Sequence, residues 1–242
     1  MKFSILVAAE LLLSLASAAT NSTGPYTFDR LNKNDSVLLI VDHQEGLFSV
    51  ARDFDATSYR QQILAHASLG RLFNLPVVIT SSIESGPNGP ILSGIRRMYP
   101  NTTIIRRQGE VDAWDNAQFR NAVRATGKSQ VILAGITTDS CTTFLSLSLR
   151  QAGYAVWANA EASGSSSKFV RDLSNDRMSK AGVQVVSLFS IVTDLMRDWR
   201  ATPGARQVIP WLATWYPAWG EVAEAHSSAV RNGTAVTGED VL

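Results

Sequence analysis

Short apolar runs rich in β-branched residues punctuate the chain, and stretches of helical periodicity lie between them. Ser36-Val37-Leu38-Leu39-Ile40-Val41 is continuously apolar after its first residue and ends at Asp42-His43-Gln44. A run without polar alternation suits a strand covered on both faces. Residues 77–80, 103–106, 131–135, 154–158 and 183–186 read as further strands. Between the first two, Ile63, Leu64, Ala67, Leu69, Leu72 and Phe73 recur at helical spacing over residues 57–73, and Asn74-Leu75-Pro76 stops that helix. Further helices are expected at about 142–151, closed by Gly153, and at 169–180 and 191–199. Asp115 is placed as the cap of another, with Phe119 and Val123 facing inward. Strands alternating with helices predict a parallel sheet with helices on both faces and right-handed crossovers.

Both ends differ from this pattern. Residues 1–19 combine Lys2, an apolar stretch and Ala16-Ser17-Ala18, and read as a secretory signal, with Glu10 as the one discordant residue. The expectation is a secreted protein. The stretch is too short and interrupted for a membrane span, which needs about 18 apolar residues or more. Residues 20–200 form the expected domain. Beyond it, Pro203-Gly204 breaks the chain, and Trp211, Trp215, Tyr216 and Trp219 make 201–242 an aromatic-rich tail that turns polar from about Ser227. Aromatics at this density pack on something. The chain's own domain and a neighbouring subunit are both open, with the subunit preferred.

Charge and composition narrow the partners. The 242 residues carry a formal net charge of +1, and no basic run interleaves with aromatics, so nucleic acid is not expected. Neither is a membrane partner; the expected partners are a small-molecule substrate and further copies of the chain. Sequons at Asn21, Asn34, Asn101 and Asn232 are compatible with a secretory route. The three histidines are scattered and no Cys cluster exists, so no metal or other cofactor is expected.

A single cysteine, Cys141, excludes an internal disulfide. It follows the 131–135 strand at the expected start of a helix. There the dipole and free N–H groups are expected to lower its pKa and to offer an oxyanion site. Asp42 ends the first strand and Arg107 follows the third. In a parallel sheet these positions meet at the carboxyl ends of the strands, where ligands bind. Asp42 could move the thiol proton and Arg107 orient the groups. Taken singly, each is also an ordinary turn residue, surface charge or buried small side chain.

The blocks 38–47 (LLIVDHQEGL), 85–90 (SGPNGP), 113–116 (AWDN), 134–141 (AGITTDSC) and 176–182 (DRMSKAG) resemble, in the same order, the isochorismatase-like hydrolases, and most of all their YcaC-like group. The resemblance runs from about Leu31 to Arg200. It implies a three-layer α/β/α sandwich around a six-stranded parallel sheet, and an Asp–basic–Cys triad of Asp42, Arg107 and Cys141. Arg106 is the alternative basic residue if the register slips by one. It also implies a non-proline cis peptide at Ile136-Thr137, with the Thr137 and Cys141 amides as oxyanion donors. Gln44, Asn88 and Trp114 lie in matched blocks as candidates for the substrate site. Residues 81–84 lack the histidine of metal-dependent nicotinamidases, which argues against that activity. The expected function is hydrolysis of a small amide or ester through a Cys141 acyl intermediate. The alternative is a secreted binding or effector protein on the same fold with little or no turnover.

Overall fold

The strand from Ser36 to Val41 is buried at all its positions, as its unbroken apolar run requires. In the computed structural model, which describes residues 28–234, this strand is β1. It is joined by β2 (Val77–Ser82), β3 (Ile104–Arg107), β4 (Gln130–Gly135), β5 (Ala155–Asn159) and β6 (Gln184–Val186). All pairings are parallel, in the order β3-β2-β1-β4-β5-β6. The chain winds outward from β1 to β3, returns to the other side of β1 as β4, and winds outward again. The reversal between β1 and β4 is the topological switch point, where such sheets open a crevice.

Helices cover both faces: α1 (Glu45–Phe48), α2 (Ala56–Leu72), α3 (Ser93–Met98), α4 (Ala117–Ala125), α5 (Thr143–Gln151), α6 (Lys168–Lys180), α7 (Leu188–Met196), α8 (Ala205–Trp215) and α9 (Pro217–Arg231). Alternate residues of β1 supply two separate cores. Leu38 and Ile40 join Ile63 and Leu69 of α2, Ile191 and Leu195 of α7, and Trp211 of α8. Val37, Leu39 and Val41 join Phe119 and Val123 of α4, Leu145 and Leu149 of α5, and Met178 of α6. The result is the three-layer sandwich implied by the resemblance.

Several boundaries differ from the sequence reading. Asn116, not Asp115, caps α4: its Oδ1 accepts from the Phe119 amide at 3.0 Å, and Asp115 lies in a short 3₁₀ turn before it. The last helix of the core begins and ends earlier than 191–199. Ser187 caps it, accepting from the Ser190 amide at 3.2 Å, and Arg197 stops it with φ at +68°. The polar stretch past Ser227 continues α9 to Arg231. Proline at the first position of α9 favours helix initiation, because its missing N–H needs no partner there.

The tail is not a separate body. The compact unit that begins at Leu31 takes in both C-terminal helices. Trp211 Nε1 donates to Ser68 Oγ of α2 at 2.6 Å, and Gln61 Nε2 donates to the Trp215 carbonyl at 3.0 Å. The first aromatics of the tail therefore pack on the chain's own domain. α9 is different: none of its residues is buried, and Trp219, Val222 and Val230 are exposed. Trp219 stacks on Phe189 at 5.2 Å. The proposed signal segment and Asn21 lie outside the described residues. Asn34, Asn101 and Asn232 are exposed. Among the described residues no helix is long and apolar enough to cross a membrane.

Candidate active site

Asp42, the first residue past β1, adopts a left-handed backbone with φ +55°, a region aspartate tolerates better than most residues. The Asp42 amide donates to the Thr80 carbonyl at 3.0 Å and the Gln44 amide to the Asp42 carbonyl at 2.8 Å, which fixes the turn. Arg107 is the last residue of β3 and not, as the sequence suggested, just beyond it. Because β2 separates β3 from β1, its side chain must cross about 10 Å, two strand spacings. Arginine has that reach. Arg107 Nη2 donates to Asp42 Oδ2, and both side chains are 0% exposed. Nε donates to Thr80 Oγ1 at 3.1 Å; Nη1 donates to the Glu110 carbonyl and, at 3.3 Å, to that of Val111. Arg106 points the other way, as strand alternation demands. It is mostly exposed and pairs with Glu84 at 2.6 Å.

Cys141 arrives from β4. After Gly135 the chain passes the cis peptide Ile136-Thr137 and forms one π-helical turn, Thr138–Thr142, before α5 begins. The Thr142 amide donates to the Thr137 carbonyl at 3.1 Å, and the Thr138 amide to the Gly164 carbonyl at 2.9 Å. Gly135 permits this close approach: a Cβ there would lie 2.8 Å from the Val41 carbonyl oxygen and 2.9 Å from Thr142 Oγ1. The turn brings Cys141 beside Asp42, close enough for the thiol and the carboxylate to shift each other's titration. Asp42 Oδ1 is buried with no hydrogen-bond partner among the described residues. Arg107, Asp42 and Cys141 thus stand in line across the carboxyl edge of β3, β1 and β4. Only Cys141 is half-buried, the others being enclosed.

The electrostatics reverse one expectation. Burial and the charge of Asp42 push the Cys141 thiol up to about 12, against the smaller lowering by Arg107 and the Thr137 backbone. The position at a helix start does not make a resting thiolate. Burial also pushes the Asp42 carboxyl above its usual range, while the Arg107 guanidinium pulls it down by less. A bare guanidinium in this enclosure would be costly, so Asp42 stays ionised beside Arg107 and the sulfur keeps its proton. Moving that proton from sulfur to Asp42 leaves the net charge of the group unchanged. The site can therefore make a thiolate without exchanging a proton with solvent.

The other candidates separate into clear roles. Gln44 does not offer its amide to a substrate. It is buried, its Nε2 donates to the Ser82 carbonyl at 2.9 Å and the Gly89 carbonyl at 2.5 Å, and its Oε1 accepts from the Ser82 amide at 2.7 Å. Asn88 Nδ2 donates to the same Ser82 carbonyl at 2.9 Å. Both pin the loop after β2 to its strand. Trp114 packs edge-on to Tyr154 at 5.7 Å, just before β5, with Arg124 over its ring. His43 Nε2 donates to the Ala162 carbonyl at 2.8 Å and His66 Nε2 to the Leu39 carbonyl at 3.1 Å. Burial holds both neutral, lowering His43 to about 4 and His66 to about 3. Among the described residues no three His, Cys, Asp or Glu side chains gather as a metal site. Sequence reasoning passed over Thr80. Its signal was the polar sequence Thr80-Ser81-Ser82 at the carboxyl end of a buried strand.

Residues 36–189 match the model of the isochorismatase domain. The chain belongs to the isochorismatase family. Within it, the chain is 43% identical over 178 residues to a probable hydrolase, YcaC, of Escherichia coli K12, covering 74% of this chain and 85% of that one. The YcaC structure from Pseudomonas aeruginosa, solved with hexane-2,5-diol and covalent acrylamide, matches at a TM-score of 0.80 and 41% identity, over 83% of this chain and 98% of that one. The Escherichia coli YcaC structure, described as an octameric hydrolase of unknown specificity, matches at a TM-score of 0.81 and 36% identity, over 84% and 98%. The nicotinamidase of Staphylococcus aureus shares the fold at a TM-score of 0.54 and 16% identity. This isochorismatase-family chain is a hydrolase of the YcaC-like kind, and the line of Arg107, Asp42 and Cys141 lies within the matched domain.

Proposed function

We propose that the protein hydrolyses a small amide or ester through a covalent acyl intermediate on Cys141. The observation that carries this reading is the enclosed Asp42–Arg107 pair set against a half-buried thiol. Asp42 takes the thiol proton as sulfur attacks the substrate carbonyl carbon. The amides of Thr137 and Cys141 stabilise the oxyanion. Collapse of the intermediate expels the amine or alcohol, which receives the proton back from Asp42. Water, deprotonated by Asp42, then attacks the thioester and releases the acid and the thiol. Arg107 stays cationic throughout and balances whichever partner is anionic. The covalent acrylamide on the Pseudomonas aeruginosa relative supports a site that bonds to small amide-bearing electrophiles.

The test is direct. Purified protein is incubated with p-nitrophenyl acetate and a panel of small amides, quenched in acid and peptide-mapped by mass spectrometry. An acyl group on Cys141, absent from Cys141→Ala together with turnover, is expected. Unimpaired hydrolysis by Cys141→Ala overturns the reading, and a protein with no turnover on any of them is the binding protein of the alternative.

Two further parts of the proposal concern context. The protein is exported with cleavage after residue 19, so N-terminal sequencing of exported protein should begin at Thr20, and Asn34, Asn101 and Asn232 are exposed acceptors for glycans. It also assembles as a homo-oligomer, in line with the octamer of the Escherichia coli relative and the uncovered apolar residues of α9.

A further inference from the structure

The span between Arg107 and Asp42 is crossed over a single residue. In register, Arg107 of β3 lies beside Ser82 of β2, and Thr80 lies beside both Ile105 of β3 and Val41 of β1. Thr80 and Ser82 share one face of β2, because side chains alternate. Thr80 is therefore the side chain that the Arg107 stem must pass on its way to Asp42. It is 0% exposed. Its hydroxyl proton is committed: Oγ1 donates to the Ile105 carbonyl at 2.9 Å. That leaves its lone pairs directed at the guanidinium, and Arg107 Nε donates to them at 3.1 Å.

We propose that Thr80 is a positioning residue of the active site, fixing the plane of the Arg107 guanidinium so that Nη2 meets Asp42. The two carbonyls of Glu110 and Val111 hold only Nη1. Thr80 holds the other side, at Nε, and so sets the rotation about the long axis of the side chain. This also accounts for arginine at position 107. Lysine has its donors on one terminal nitrogen and nothing at the position of Nε. A lysine could approach Asp42, but it could not be aligned by Thr80.

The inference rests on the cysteine-hydrolase reading for its link to activity, and two readouts keep the two apart. The first is the Arg107 Nε–H in ¹⁵N NMR, which is independent of the thiol. It should be protected from exchange in the wild type and in Thr80→Ser, and lose protection in Thr80→Val. The second is the rate of Cys141 alkylation by iodoacetamide across pH. Arg107 lowers the thiol pKa, so Thr80→Val should move the pH midpoint upward and slow alkylation at neutral pH on the order of tenfold, and Thr80→Ser should restore it. In an Arg107→Lys background, Thr80→Val should cause no further loss. Thermal melts verify that each variant is folded. Unchanged Nε–H protection in Thr80→Val, or an equal loss of reactivity in both backgrounds, overturns the role of Thr80. A wild-type Cys141 that does not react overturns the hydrolase reading instead, and the Nε–H signal still decides whether Thr80 aligns Arg107.

Discussion

Arg107, at the end of β3, reaches over β2 to Asp42, at the end of β1, and the pair is fully enclosed. Neither residue is tethered to the other by sequence; 65 positions separate them. What joins them is the strand order, and through it the guanidinium comes to influence the thiol in the turn that follows β4.

Removing one partner of a buried pair leaves the other charge without compensation. Arg107→Met is expected to destabilise the protein by roughly 3–5 kcal/mol. Because Arg107 lowers the thiol pKa, the same variant should alkylate at Cys141 more slowly at neutral pH. Urea unfolding followed by circular dichroism measures the first effect. A loss below about 1 kcal/mol, the range of exposed pairs, would contradict the enclosure described here.

Gln44 offers a contrast. Its side chain holds Ser82 and Gly89 and leaves no amide group free. Gln44→Ala should strand buried backbone groups and cost about 1–3 kcal/mol. Alkylation of Cys141 should survive in the molecules that remain folded. Loss of substrate affinity with full stability would instead return Gln44 to the substrate site.

The two buried histidines set an acid limit. Their pKa values in the fold, about 4 for His43 and about 3 for His66, lie below the ordinary 6.5. The unfolded chain therefore binds more protons than the native one in between. Stability is fully present above pH 6.5 and falls as the pH drops toward 4 and then 3. The raised carboxyls of Asp42 and Asp53 act in the opposite sense over their own range. Urea midpoints of wild type and His43→Asn between pH 7 and 4 should converge as the pH falls, because the variant lacks one of the depressed groups. Parallel curves would show that His43 is not held neutral.

Much of this was legible in the chain. The β1 run ended where the strand ends because all its positions are buried on both faces, and Asp42 and Cys141 stood at strand ends of such runs. What escaped notice depended on tertiary neighbours. The thiol was expected to be acidic from its place before a helix, since the sequence displays the helix but not the enclosing carboxylate. Asp115 reads as a cap because aspartate caps well, but the neighbouring Asn116 caps equally well and the geometry selects it. The stretch past Ser227 reads only as polar, because its Ser and Ala residues carry no apolar periodicity, although helix α9 runs on to Arg231. Thr80 was hidden because a threonine in a strand has no reactive look until an arginine passes over it.

The exposed face of α9 gives an assembly prediction. Trp219, Val222 and Val230 are 44%, 60% and 43% exposed, an apolar surface that association would cover. Light scattering on wild type should give a mass several times that of one chain. Val222→Glu with Val230→Glu should lower it without altering the thermal melt of the domain. An unchanged oligomer would place the interface elsewhere.

The most direct measurement of the central claim is the rate of iodoacetamide alkylation at Cys141 against pH, in wild type and Asp42→Asn. If thiol, carboxylate and guanidinium form one proton-sharing unit, the wild-type midpoint lies far into the alkaline range, near the value of about 12 that burial and Asp42 impose. Asp42→Asn removes the anionic neighbour while Arg107 remains, so the midpoint should fall, and yet turnover of p-nitrophenyl acetate should be lost with the base. A wild-type midpoint near 8.5, the value of a free thiol, and unmoved by Asp42→Asn, would contradict the account.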